Sequence, residues 1–274
     1  MFKEYISKFL KLDRRWIFLL LTIVIFVPII KPLGLPNISI GSNTKRVYDF
    51  IEALPEGGFA LLSLDYDPST RPELHPQAIA VIRHCFRKNI RVAIMTFLPG
   101  ATGLIDEIVE KIPKEYNKKD GIDYVVLPYQ PNYVAVMTQL GSDIYGIFRT
   151  DTKGRSTKDL PVMKGIKSYK DMSFAMCITG TALLDAWVAY AGDKYKVPML
   201  GGVTAVSQPG YGPYLQKGQL KGLIGGMKGA ADYETLLKKL DRGTKGIDSL
   251  NLAHFLVLIL IITSNIIILI TKYL

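Results

Sequence analysis

Phe59-Ala60-Leu61-Leu62-Ser63-Leu64-Asp65-Tyr66-Asp67-Pro68-Ser69-Thr70 is an almost unbroken apolar run that ends in an acid and a turn. A run of this length without polar alternation predicts a central parallel strand buried on both faces, with a helix to follow. That helix is expected to begin near Glu73, with Ser69 or Thr70 as its cap and Leu74, Ala78, Val81, Ile82, Cys85 and Phe86 as its buried stripe. The same alternation continues along the chain. Strands are expected at 91–96, 124–127, 174–178, 198–200 and near Leu223 and Ile224, and helices at 104–112, 133–140, 182–191 and 230–240. Strands separated by helices require right-handed crossovers, so residues 59–249 read as an α/β domain with a doubly wound, mostly parallel, Rossmann-like sheet.

Two stretches interrupt this pattern. Residues 37–58 read as a connector carrying a short amphipathic helix, with Val47, Tyr48, Phe50, Ile51 and Leu54 at helical spacing. Residues 141–172 are rich in Gly, Asp, Lys and Thr and show little periodicity. A stretch this long predicts a lid, a contact loop or disorder.

The chain ends carry apolar segments. Residues 16–36 predict a first transmembrane helix, closing in the Pro-rich 31–36, and residues 250–274 a second with no charge from Leu250 to Ile270. No small-x-small cleavage site follows the first run, which favours an anchor over a secretory leader. The basic N-terminal segment 1–15 contains Lys3, Lys8, Lys11, Arg14 and Arg15. Such a cluster favours a cytoplasmic N-terminus, and therefore a cell-membrane protein with two spans and an extracytoplasmic domain. Lys238, Lys239, Arg242 and Lys245 before the second segment pull the other way, but long loops are translocated largely regardless of charge.

The net charge of +10 is dispersed, with no basic strand studded with aromatics, so nucleic acid is not an expected partner. The two cysteines, Cys85 in a helical run and Cys177 in an apolar strand, read as buried free thiols. The three histidines do not cluster, and no metal-ligand spacing occurs. In open parallel sheets, ligands lie beyond the carboxyl ends of the strands. The candidate ligand-binding residues there are Ser69, Thr70, Thr96, Thr179, Gly201, Gly202 and Thr204, with Gly225 and Gly226 in a glycine-rich strand-to-helix turn. Tight packing explains those two glycines as well as an anion at the helix N-terminus does.

Asp65-Tyr66-Asp67 at the end of an apolar strand resembles the first motif of haloacid-dehalogenase-like phosphotransferases, and Thr96 resembles the second. The resemblance implies Asp65 as a catalytic nucleophile, Asp67 as general acid/base and Mg²⁺ as cofactor. The sequence departs from that family downstream, because Cys177-Ile178-Thr179-Gly180 brings no carboxylate until Asp185. A second resemblance spans nearly the whole chain. Leu12-Asp13-Arg14-Arg15-Trp16, Asp65 to Thr70 and Gly202-Val203-Thr204-Ala205-Val206-Ser207 are similar to prokaryotic membrane proteins with two transmembrane helices flanking an α/β domain, a group to which no activity is attached.

The resulting expectation is a membrane-anchored binding or assembly module, either a homo-oligomer or a subunit beside other membrane proteins. The lipid bilayer is its first partner, and no cofactor is required. Asn265, an amide inside the second apolar segment, is expected to find a partner helix. The alternative is a phosphohydrolase acting on a small anionic substrate at Asp65 and Asp67, which alone would call for Mg²⁺.

Overall fold

The structure is a computed structural model that describes residues 13–34 and 39–273. Lys3, Lys8 and Lys11 of the basic segment, and Asn37 and Ile38 of the connector, lie outside the described residues. In chain order the elements are α1 Arg14–Ile30, α2 Ser42–Glu52, β1 Phe59–Asp65, α3 Arg71–Arg87, β2 Arg91–Met95, α4 Thr102–Glu115, β3 Tyr124–Val126, α5 Tyr133–Gln139, α6 Ile144–Ile147, β4 Phe174–Thr179, α7 Leu183–Trp187, β5 Met199–Val203, α8 Gly212–Gln216, β6 Leu220–Gly225, α9 Gly226–Leu236 and α10 Arg242–Tyr273.

The six strands form one sheet in the order β3-β2-β1-β4-β5-β6, and every pairing is parallel. This is the strand order of doubly wound Rossmann-like domains, and its topological switch point falls between β1 and β4. β1 is buried along its whole length, as its apolar run predicts. One face of the sheet, carrying Ala60, Leu62, Ile94, Met176 and Ile224, packs against α2, α3, α4 and α9. The other face, carrying Leu61, Ala93, Val125, Ala175 and Leu223, packs against α5, α7 and the segment that follows α5.

That segment is 141–172, and the structure corrects the expectation of a lid or disordered loop. Ile144, Phe148, Val162, Met163, Ile166 and Tyr169 are all buried in the second core. Short turns replace a covering helix here, because these apolar residues are spaced for local anchoring and not for one helical stripe. The Tyr169 hydroxyl donates to the Met137 carbonyl at 2.8 Å, and the Arg91 guanidinium donates to the carbonyls of Val162 and Lys164.

The connector is likewise part of the domain. Val47 and Ile51 of α2 have no exposed surface, and α2 lies against the edge strand β6. Contact is close because residue 222 is glycine: a Cβ there would lie 2.6 Å from the Val47 nitrogen and 3.0 Å from its Cα. Both are backbone atoms and cannot rotate away. Gly222→Ala is therefore expected to cost about 2 kcal/mol, read as a lowered thermal midpoint. An unchanged melt would mean that α2 can back off from β6 without penalty.

At the chain ends the expectation of two spans is corrected to one among the described residues. Arg242–Thr271 is long and apolar enough to cross a membrane. The first apolar segment forms only the 17-residue α1, ending at Lys31 with extended backbone (φ −135°, ψ 119°). Lys31 precedes Pro32, and a residue before proline is driven out of the helical region by the pyrrolidine ring. At about 1.5 Å per residue α1 rises roughly 25 Å, short of a roughly 30 Å hydrocarbon core. The second helix begins eight residues earlier than its apolar run, at Arg242 instead of Leu250, since 242–249 pack on the domain.

α1 and α10 run side by side. The Ser249 hydroxyl donates to the Ile25 carbonyl at 3.0 Å, and the Asp248 carboxylate accepts from the amides of Leu33 and Gly34, each at 2.9 Å. Beyond this junction the pair shows its apolar side chains to the surroundings, including Trp16, Phe18, Ile23, Phe255, Leu258 and Ile262. Asn265 donates one N–H to the Ile261 carbonyl of its own helix at 2.9 Å, and its side chain is exposed.

Candidate binding edge

The switch point gathers part of what the sequence singles out. β1 and β4 pair with Asp65 opposite Thr179, which sets both at the carboxyl edge of the sheet centre. Ser63, Asp65 and Cys177 lie on one face of the sheet because strand side chains alternate. The Asp65 carboxylate has no exposed surface and is fully occupied. Oδ1 accepts from the Phe97 amide at 2.6 Å and the Thr96 hydroxyl at 3.3 Å; Oδ2 accepts from the Ser63 hydroxyl at 2.5 Å and the Cys177 thiol at 3.6 Å. Burial pushes its pKa up to about 6, against the pull of these donors. Thr179 closes the cluster, its hydroxyl donating to the Asp65 carbonyl at 3.0 Å and meeting Thr181 Oγ1 at 2.9 Å.

Asp67 stands apart from this cluster. It is exposed and folded back into the β1–α3 turn, where one carboxylate oxygen accepts from the Ser69 amide at 2.9 Å and the Ser69 hydroxyl at 2.6 Å. These two bonds hold its carboxyl below the usual range. Thr70 fills the space in front of β4, since a Cβ on Gly180 would lie 2.8 Å from the Thr70 methyl. Asp65 and Asp67 thus belong to different environments, one dry and one solvated, and do not face a common crevice.

The glycines are where neighbours pass. A Cβ at Gly201 would meet Leu184 and Leu223 at 2.7 Å, one at Gly202 would meet Gln77 Oε1 at 2.6 Å, and one at Gly225 would meet Gln208 Oε1 at 2.0 Å. Gly226, at φ +60°, faces Ala205. At the glycine-rich turn the close neighbours are the protein's own side chains, Gln208 and Ala205 among them. Gln77 explains the arrangement: its amide donates to the carbonyls of Val203 (3.0 Å) and Gly226 (3.1 Å), tying α3 to β5 and α9. Thr204 is buried and pairs with Ser207 at 3.0 Å.

Several of these partners escape a reading of the sequence. Ser63 was within reach of it, because period-2 alternation sets it on the same face as Asp65. Cys177, the Phe97 amide and Gln77 come from other strands and helices, and only the pairing register brings them in. Glu73 is a further case. Its carboxylate, on the first turn of α3, accepts from the Ala205 amide beyond the end of β5 at 2.8 Å and ties the two together. The residues also do not fit Mg²⁺: among the described residues no group of three or more His, Cys, Asp or Glu side chains could hold a metal ion.

The edge has a direction relative to the apolar helices. α9 starts at the carboxyl end of β6, and α10 returns antiparallel along it: Gly243 lies on Ala230 and Ala231, and Gly246 on Met227. α10 therefore leaves the domain on the side where the strands end. The loops of that edge include Val206, which is 88% exposed. No protein-family model matches this chain, and neither a curated protein nor a solved structure does.

Proposed function

We propose that the protein is a membrane-anchored α/β binding module whose strand-end edge faces the bilayer on an α1–α10 hairpin. The observation that carries this reading is the continuity of α10. A single 32-residue helix begins inside the domain and runs on into an exposed apolar span. Bending it away from the domain would uncover Thr244, Asp248 and Ser249, which are buried at the junction. The domain is consequently held at a set distance and orientation to the membrane, and a ligand at its edge would be met at the lipid surface.

Both helices of the hairpin cross the bilayer in this reading, the short α1 doing so with Lys31 snorkelling to the headgroups, which sets the N-terminus in the cytoplasm and the domain outside. The exposed apolar faces of α1 and α10, with Asn265 among them, are available to further copies or to other membrane subunits. Residues 141–172 serve the core and lend such assembly no support. The phosphohydrolase reading draws no support from Asp65, whose carboxylate is buried and engaged by four donors.

Topology is testable at Lys153, an exposed residue of the 141–172 segment. The variant Lys153→Cys should react with a membrane-impermeant maleimide in intact cells, and the chain should stay in the membrane pellet after an alkaline carbonate wash. Labelling only after lysis would reverse the topology, and release by carbonate would remove the anchor.

A further inference from the structure

Where α1, α3, α9 and α10 converge at the strand-end side, a cavity of about 400 Å³ opens among Ile29, Arg71, His75, Met227, Arg242 and Lys245. Its walls are mostly apolar and its polar groups are cationic or donors. Arg71 and Arg242 share one acid, Glu107, at 2.5 and 2.8 Å, and Lys111 lies 3.6 Å from the same carboxylate. One negative charge among three cations leaves a positive surplus. Lys245 adds an ammonium that makes no ion pair among the described residues.

His75 supplies an independent observation. It is 1% exposed, and its Nε2 has no hydrogen-bond partner. Burial pushes the imidazole pKa down to about 4, so the ring is neutral. The Tyr66 hydroxyl, kept protonated by its own burial, lies 3.0 Å from Nδ1 and holds that side of the ring. Nε2 has Glu107 Oε2 at 3.8 Å, out of hydrogen-bond reach. A buried ring nitrogen that the protein's own groups leave unpartnered marks an incomplete polar site, and the cationic surplus of Arg71, Arg242 and Lys111 beside it is matched by an anion with several oxygens.

The surroundings narrow the anion. Ile29 belongs to the apolar α1, and Lys245 precedes by five residues the point where α10 becomes exposed and apolar. We propose that this cavity holds the phosphate of an anionic phospholipid, with its oxygens on Arg71, Arg242 and Lys245 and its glycerol and acyl stem along Ile29 and Met227. The proposal rests on the hairpin reading above, because the cavity meets lipid only if α1 and α10 lie in a bilayer. Basic pockets at helix–membrane junctions suit such headgroups, each cation near the surface adding about fivefold in affinity.

The test uses the full chain in mild detergent and native mass spectrometry with added phosphatidylglycerol or phosphatidylcholine. The wild type should retain phosphatidylglycerol preferentially. Lys245→Gln, which breaks no ion pair, should weaken that retention about fivefold, Arg71→Gln similarly, and the control Lys221→Gln, at an exposed site on β6, not at all. Equal retention by wild type and Lys245→Gln overturns the proposal. So does displacement of the lipid by millimolar inorganic phosphate, which would assign the site to a soluble phosphate compound. The anchor is scored separately on phosphatidylcholine vesicles alone: a chain that inserts there but shows no anionic preference sinks only the lipid site, and one that fails to insert sinks the hairpin.

Discussion

Replacing Asp65 by leucine is expected to lower the unfolding free energy at neutral pH by about 3–4 kcal/mol, and replacing it by asparagine to leave the fold intact. Leucine would strand the Phe97 amide and the Ser63 hydroxyl in a dry interior at a typical cost of about 1–3 kcal/mol for each unmade bond. Asparagine keeps an acceptor for Phe97, and the Ser63 hydroxyl can rotate to accept from its amide. The pH dependence separates charge from shape. The folded pKa of Asp65, about 6, is above its unfolded value of 3.8, so the contribution of this group to stability is fully present below pH 3.8 and lost as pH rises through 6. That loss is on the order of 3 kcal/mol. Relative to wild type, Asp65→Asn should therefore gain stability as pH rises from 4 to 7, followed by denaturant unfolding of the detergent-extracted chain. An asparagine variant that loses ground over the same range would show that the ionised carboxylate is favoured in the fold, and the environment described here would be wrong.

Glu234→Ala is expected to cost about 4 kcal/mol and to loosen the tie between domain and span. Glu234 is 1% exposed, and its carboxylate takes the orphan amides at the start of α10. Oε1 accepts from the Gly243 amide at 2.8 Å; Oε2 accepts from the amides of Asp241 and Thr244 at 2.8 Å and from the Thr244 hydroxyl at 2.7 Å. An acid at a helix N-terminus is favoured by the dipole, and charge-assisted bonds of this kind are worth about 1.5–3 kcal/mol each when buried. Alanine leaves several of these donors unpaired at once. Glu234→Gln, which keeps one acceptor oxygen, should lose roughly half as much. Hydrogen exchange would locate the effect: amides of 241–249 should lose protection before those of β1 and β4. Uniform loss across the sheet would mean that α10 and the domain unfold as one unit and that the junction is no separate element.

Much of the architecture is legible in the amino-acid sequence. The apolar run 59–64, the stripe of α3 and the strand–helix alternation carry their own periodicity, and periodicity is a local property of the chain. The charge-free run from Leu250 to Ile270 was legible for the same reason. α1 ends earlier than the apolar segment 16–36 suggests, and the cause, proline after Lys31, stands in the sequence: hydropathy counts residues, and the helix stops where backbone sterics stop it. Residues 141–172 misled in the opposite direction. Their apolar members are too irregularly spaced to announce an element, yet Phe148, Met163 and Tyr169 find places on a sheet face that no helix covers.

The site was legible in its residues and not in its connections. Asp65, Thr96 and Thr179 stand at strand ends in the sequence, and the parallel register brings them together. What the sequence determined by itself was the set of elements, their alternation and one apolar span, because helical and strand periodicity, turn chemistry and hydropathy act between near neighbours along the chain. What only the tertiary structure decided was which of two neighbouring carboxylates is dry, which glycines are merely passing places, and on which side of the sheet α10 leaves the domain. Burial depends on what arrives from the other strands and helices, and a direction in space depends on how α10 folds back along α9.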